Sequence, residues 1–319
     1  MTLQDIIWLR EAEVERTIDL DELLLALTDG FRSMSAGEVI GPPRPEIAVQ
    51  RGFLLSMPAY RPGALIGVKM VSVFHGNVEL GMPGHLALMC LFDPDTGATK
   101  AVMDGTYITA IRTAGAAAVS TQLLASPDAS VLTIVGAGVQ GRSHLKLIPR
   151  LRPVEDIRVA SLRFEDARQA AQLDPRARAV ESFEEAVRGA DIVALCTSSA
   201  EPVIQLEWLK PGAHVTSVGY VPPGTELDLR LLDAGNVFVE TRIAFEAPPA
   251  GCVELYGRDP QAATELGEVI LDRRPGRAND HEITVYKAMG HAIEDLVTAE
   301  IAYRAAVNNG AGTRLSQYG

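Results

Sequence analysis

Five apolar or β-branched residues, Val131-Leu132-Thr133-Ile134-Val135, run directly into Gly136-Ala137-Gly138-Val139-Gln140-Gly141. Beyond the last glycine, Leu145 and Ile148, with Leu147 and Leu151 beside them, take up helical spacing. A strand, a tight turn with glycines at its first, third and sixth positions, and a helix form the arrangement a dinucleotide pyrophosphate requires. Gly136 permits the turn, Gly138 lets the backbone approach the phosphates, and Gly141 lets helix and strand pack closely. The first N–H groups of the helix, from Val139 and Gln140 onward, face the anion. The glycine spacing alone also fits an ordinary turn of an α/β domain; its place between strand and helix favours nucleotide binding.

Downstream, strand and helix alternate. Residues 157–161, 192–196, 215–219 and 237–240 read as strands, and 164–171 and 183–188 as helices. This is the rhythm of a doubly wound parallel sheet, whose ligands contact the loops after the strands. Those loops nominate Thr197-Ser198-Ser199 and Gly219-Tyr220-Val221, which also fit ordinary polar turns. At the end of the second strand an acid would hold the ribose diol of NAD, and an Arg with small polar groups the 2′-phosphate of NADP. Ser161-Leu162-Arg163 stands there, leaning towards NADP without deciding it.

The region before this sheet has a different texture. Residues 19–36 form an amphipathic helix with Leu23, Leu24, Leu27 and Phe31 on one face, stopped by Gly37. Short apolar runs follow at 47–49, 53–57, 66–74, 86–92 and 101–103, with a hairpin turn at Asp93-Pro94-Asp95-Thr96-Gly97. The expected organisation is an antiparallel-rich α+β domain over residues 1–115, rejoined by 300–319, and a nucleotide domain over 116–299. A long helix is expected from about Gly290, where Glu294 and Asp295 suit the helix dipole.

With 319 residues and a net charge of −12, broad nucleic-acid or anionic-membrane surfaces are disfavoured, so any anion site must be a local cluster of cations. The absence of a long apolar run or a basic-apolar leader points to a cytoplasmic protein. Cys90, Cys196 and Cys252 read as reduced packing residues, without disulfide or metal spacing.

Three cations stand out. Lys69, inside Val68-Lys69-Met70-Val71, is either a snorkelling edge-strand residue or a buried ammonium that meets an anion. Arg112-Thr113, expected to open the Ala-rich helix of residues 114–125, offers a carboxylate or phosphate clamp facing a ligand cavity. Arg44, in Pro42-Pro43-Arg44-Pro45, is either aimed by the stiff prolines or a solvated loop residue.

The chain resembles the ornithine cyclodeaminase and μ-crystallin family. The resemblance is carried by Met57-Pro58-Ala59-Tyr60, Val68-Lys69-Met70-Val71, Pro83-Gly84-His85 and the run from Met103 to Ala114. It continues through the glycine turn, Gly224-Thr225-Glu226-Leu227-Asp228, Leu266-Gly267-Glu268-Val269-Ile270 and Glu282-Ile283-Thr284. It implies a Rossmann-type domain holding NAD(H) or NADP(H), with Lys287 and Gly290 among its candidate contacts, and an N-terminal domain for dimerisation and substrate. It further implies a homodimer acting on a small imino or amino acid, with Arg44 and Arg112 on the carboxylate and Lys69 beside the reacting nitrogen. The family includes cyclodeaminases, ketimine reductases and alanine dehydrogenases. Here the loop Gly219-Tyr220-Val221-Pro222-Pro223-Gly224 is one residue short, and Val221 matches the acid that serves the ω-amino group in cyclodeamination. The favoured expectation is therefore an NAD(P)-dependent imine reductase or amino-acid dehydrogenase. An ammonia-releasing cyclodeaminase and a non-catalytic NADP(H) binder remain the alternatives.

Overall fold

The computed structural model describes residues 5–316. The first half of the chain contains β1 (Ile6–Leu9), α1 (Glu11–Thr17), α2 (Leu20–Ser35), β2 (Glu46–Val49), β3 (Gly52–Ala59) and β4 (Ile66–Val73). It continues with β5 (His85–Phe92), β6 (Thr99–Asp104), α3 (Thr106–Leu124), β7 (Val131–Val135), α4 (Val139–Leu151) and β8 (Asp156–Ala160). Then come α5 (Phe164–Ala171), β9 (Ala177–Ala179), α6 (Phe183–Val187), β10 (Ile192–Leu195), β11 (His214–Ser217), α7 (Arg230–Ala234) and β12 (Asn236–Val239). The chain closes with β13 (Thr264–Glu265), α8 (Leu266–Ile270), β14 (Thr284–Lys287), α9 (Ala292–Asn309) and β15 (Thr313–Leu315).

The chain forms two compact units, one of residues up to Arg112 together with those from His291 on, the other of Thr113–Gly290. The return to the first unit therefore comes at His291 rather than at residue 300. The reason is packing: α9 lies along α2 and against β3, β4 and β5, so the whole helix belongs there. In that unit the sheet order is β15-β1-β6-β5-β4-β3-β2, and every neighbouring pair except β1 and β6 is antiparallel. The expected strands and the hairpin at 93–97 are present, the hairpin closed by a hydrogen bond from the Asp93 N–H to the Ala98 carbonyl. Short β1 and β15 escaped the reading because each is defined by pairing with residues distant in sequence.

The second unit is an eight-stranded sheet, β13-β12-β14-β11-β10-β7-β8-β9, in which all pairs are parallel. β7 lies between β8 and β10, so the glycine turn that follows it sits where the strand order reverses, the usual ligand crevice of such sheets. β14 was not anticipated as a strand: Thr284 and Lys287 at its ends look like surface residues, yet all four positions are buried.

One helix boundary corrects the expected clamp. α3 starts at Thr106, whose N–H is accepted by the Asp104 carboxylate at 2.8 Å, so Arg112 and Thr113 lie well inside the helix. Their N–H groups belong to the helical ladder, so any clamp here is left to their side chains. The Ala-rich run drew the expected start too late, because β-branched Thr106 and Ile108 are weaker helix signals than alanine.

Candidate functional site

Lys69 occupies β4 between β3 and β5, in register with Met57 and Met89. Alternation turns Gly67, Lys69, Val71 and Val73 to the buried face, where Leu296 of α9 covers Gly67. The snorkelling alternative is thereby excluded, since Lys69 is 1% exposed in a central strand. Its ammonium lies 2.9 and 2.8 Å from the two Asp295 carboxylate oxygens. The Arg112 guanidinium reaches Glu294 through one terminal nitrogen at 3.1 Å and lies 3.0 Å from Asp295 at Nε. Glu294 has a second duty: its other oxygen accepts the His291 N–H at 2.5 Å, closing the capping box of α9. The two acids expected to serve the helix dipole are thus the buried counter-ions of the two candidate cations.

Burial pushes the Lys69 ammonium down, Asp295 pushes back, and Arg112 lowers it again, leaving it at about 8. A buried lysine poised there can deliver or accept a proton near neutral pH. Arg44 is half-buried and close enough to the cluster to act on His291, whose ring is held to about 4 by burial first and by Arg44 next. His291 was not singled out in the sequence; the structure makes it the cap of α9.

Arg112 is 6% exposed and paired, so it does not simply face a ligand cavity. Arg112→Lys is therefore expected to lower thermal stability as well as substrate affinity. Loss of one charge-assisted contact costs about 1.5–3 kcal/mol. A melting temperature unchanged from the parent would show that the pairs to Glu294 and Asp295 carry no weight.

In the second unit the three glycines of the turn do separate jobs. Gly136 has φ +107, and a Cβ there would lie 2.5 Å from the Cys196 carbonyl oxygen. A Cβ on Gly141 would lie 1.8 Å from the Gly136 carbonyl oxygen, so backbone meets backbone. Gly138 is exposed, and a Cβ there would meet nothing within 4 Å. Close packing thus demands the outer two glycines, while the middle one keeps the space in front of the α4 N-terminus open. Val139 opens that helix, 67% exposed, and Gln140 follows half-buried.

The neighbouring loops are organised by Glu226, which is 1% exposed. Its carboxylate accepts from the Thr197 N–H (2.7 Å), the Thr197 hydroxyl (2.6 Å), the Ser217 hydroxyl (3.0 Å) and the Gly219 N–H (2.6 Å). It therefore ties the ends of β10 and β11 together. Ser198 stays exposed beside it. Lys287 is wholly buried, donating to the Gly219 carbonyl at 2.6 Å and lying 2.9 Å from Glu254, which sets the loop rather than presenting a surface cation. The Gly290 N–H is taken by Glu240 at 3.0 Å. Glu226 appeared in the sequence only inside a motif; the signal available was an acid following β-turn residues and preceding an apolar position.

Ser161 comes directly after β8, with Leu162 94% exposed and Arg163 extended into solvent, 3.5 Å from Asp166. No carboxylate occupies that strand end, since Asp156 sits at the opposite end and pairs with Arg158 and Arg178.

A doubly wound sheet with this turn defines a dinucleotide-binding protein, and the other unit buries two acids and two cations in one cluster. Residues 5–310 match the ornithine cyclodeaminase/mu-crystallin family, and the chain belongs to it. The mouse ketimine reductase mu-crystallin is 37% identical over 305 residues, 93% of this chain and 96% of that protein. The Thermococcus litoralis Delta(1)-pyrroline-2-carboxylate reductase, solved with NADH and L-proline, has a TM-score of 0.91 at 32% identity, covering 97% of this chain and 100% of that one. An archaeal alanine dehydrogenase dimer with bound NAD has a TM-score of 0.88 at 29% identity, covering 98% and 100%. No helix among the described residues is long and apolar enough to cross a membrane.

Proposed function

We propose that the protein reduces a carboxylate-bearing imine to an amino acid with NAD(P)H, and runs in reverse as an amino-acid dehydrogenase. The observation that carries this reading is Lys69: a buried ammonium near pKa 8, in one ionic cluster with Arg112. Arg112 and Arg44 would hold the substrate carboxylate, and Lys69 would protonate the imine nitrogen while Asp295 keeps its ammonium in place. Gly136, Gly138 and the α4 N-terminus would hold the pyrophosphate, and the loops pinned by Glu226 would line the rest of the cofactor. The bound nicotinamide supplies the hydride. The likeness to a ketimine reductase and to a pyrroline-2-carboxylate reductase supports this assignment.

Apolar Val221, half-buried in its loop, offers no anion to a substrate ω-amino group, which favours reduction over ammonia-releasing ring closure. The test offers purified protein Δ1-pyrroline-2-carboxylate, pyruvate with methylamine, and ornithine with oxidised cofactor, while following absorbance of the reduced nicotinamide. Net oxidation with an imine is the expected result. Ammonia release from ornithine without net redox change would identify a cyclodeaminase, and no turnover at all a binder.

Ser161 and Arg163 favour NADP(H) through the 2′-phosphate. Ser161→Asp is expected to move the preference towards NAD(H) by about tenfold or more, the equivalent of one hydrogen bond and one repulsion. An unchanged ratio of kcat/KM for the two cofactors would place the ribose elsewhere.

A homodimer assembled through the first unit fits an apolar row on its sheet. Ile47, Leu54, Ser72 and Leu86 stand in register across β2, β3, β4 and β5, and Ile47 (66%), Leu54 (39%) and Leu86 (41%) are exposed. The free cysteines and acidic composition suit a cytoplasmic enzyme.

A further inference from the structure

Arg142 lies in the first turn of α4, and its side chain runs back towards the helix N-terminus to donate from Nε to the Ala137 carbonyl at 3.2 Å. Among the described residues that carbonyl is the only partner of the side chain. A half-buried guanidinium is thus anchored on the glycine turn by one nitrogen, with the N–H groups of both terminal nitrogens left to a ligand.

The anchor fixes the side of the turn on which the guanidinium stands. Ala137 packs against Val159 of β8 and against Ala167, Ala170 and Ala171, which belong to α5. The Gly136 N–H is bonded to the Ala160 carbonyl at 2.8 Å, so the next residues along, Ala137 and Ser161, are neighbours at the ends of β7 and β8. Gly138, four residues before Arg142, shares its side of the helix and leaves the space there open. Arg142 therefore stands between that open space and the end of β8. Ser161 is half-buried there, its hydroxyl bonded to no described residue. Arg163, the N-cap residue of α5, directs its guanidinium only towards Asp166, at 3.5 Å, and both of these side chains are well solvated.

Two guanidinium groups and a hydroxyl around one strand end suit an anion. A ribose diol is neutral and gains most from a carboxylate acceptor, whereas a phosphate monoester carries close to two charges and takes several donors at once. The acids nearby are already paired, Glu165 with Arg168 and Asp166 with Arg163.

Building on the assignment of the ribose to the end of β8, we propose that Arg142 is a specificity-determining residue for the cofactor. Its terminal nitrogens, with Ser161 and Arg163, hold the 2′-phosphate of NADP(H), and the pyrophosphate is left to the N–H groups of α4. Calorimetric titration with 2′,5′-ADP and with 5′-AMP isolates the 2′-phosphate, because neither probe carries a pyrophosphate. Arg142→Gln is expected to raise Kd for 2′,5′-ADP and for NADPH by about tenfold or more, the worth of one charge-assisted contact, with 5′-AMP and NADH within about threefold of the parent. Its melting temperature should stay near that of the parent, since the side chain is half-buried and bonds one turn carbonyl. Arg142→Lys keeps a charge but loses the Nε anchor and the planar fork, so it should weaken NADPH by a smaller factor and leave NADH unaffected.

Equal weakening of NADH and NADPH in Arg142→Gln would assign the residue to the pyrophosphate and overturn the proposal, while the dinucleotide site stands. NADPH affinity within about twofold of the parent would also overturn it. If Ser161→Asp still shifts the cofactor ratio in that case, the ribose assignment survives without Arg142. A parent that binds 2′,5′-ADP no more tightly than 5′-AMP, together with an unchanged ratio in Ser161→Asp, would overturn both.

Discussion

Lys69→Met is expected to lower kcat/KM for imine reduction by about 10²–10⁴-fold, the usual worth of a positioned proton donor. Methionine fills much the same volume in the central strand, so the loss should appear in turnover more than in folding. The sign of the stability effect follows from the depressed lysine. With a folded value of about 8 and an ordinary value of 10.5, the unfolded chain binds more protons between these limits. The cost of burying the ammonium is thus fully present below about pH 8 and relieved as pH rises towards 10.5. Removing the ammonium relieves that cost at neutral pH, against the loss of one of the two cations that serve Asp295. For the parent, reduction needs the protonated lysine, so kcat/KM should fall as pH rises through about 8, while amino-acid oxidation should rise over the same range. Lys69→Met should lose both limbs. Activity within about threefold of the parent, or an unaltered pH profile, would remove Lys69 from the chemistry.

Gly138→Asp is expected to abolish cofactor binding and leave the fold alone. The open space over Gly138 accepts a side chain, and its φ of −74 suits any residue. The new carboxylate would stand before the helix N-terminus, where the pyrophosphate belongs. Two unit charges 4 Å apart at an effective dielectric of 20 interact by about 4 kcal/mol, close to three orders of magnitude in Kd. Gly141→Ala should behave differently, because its Cβ would collide with the Gly136 carbonyl and force the turn apart. Titration of reduced cofactor by fluorescence, beside thermal melts, separates the two. Unchanged affinity in Gly138→Asp would remove the pyrophosphate from this turn.

Much of this architecture was legible because local signals and tertiary structure agree. The strand, turn and helix from Val131 onward, α2 with its Asp19 cap, and the hairpin at 93–97 are each specified by nearby residues. What stayed hidden depends on partners remote in sequence. Lys69 and Arg112 were visible as unusual cations, but their counter-ions Glu294 and Asp295 lie on a helix whose first turn explains acids without them. For the same reason Arg112 reads in the sequence as a clamp facing a ligand cavity, and the structure makes it part of a buried ionic network. Glu226 and Lys287 resemble surface residues in sequence, and only the parallel sheet shows that one gathers four donors and the other is sealed against Glu254. His291 gave no signal in the sequence, and its place as the cap of α9 appears only in the structure.

The most direct measurement follows the hydride. With cofactor deuterated at C4 of the reduced ring and Δ1-pyrroline-2-carboxylate as substrate, imine reduction places one deuterium on the α-carbon of the amino-acid product for each cofactor oxidised, from one face of the ring. Product without deuterium, or cofactor that returns undiminished while ammonia is released, would contradict it.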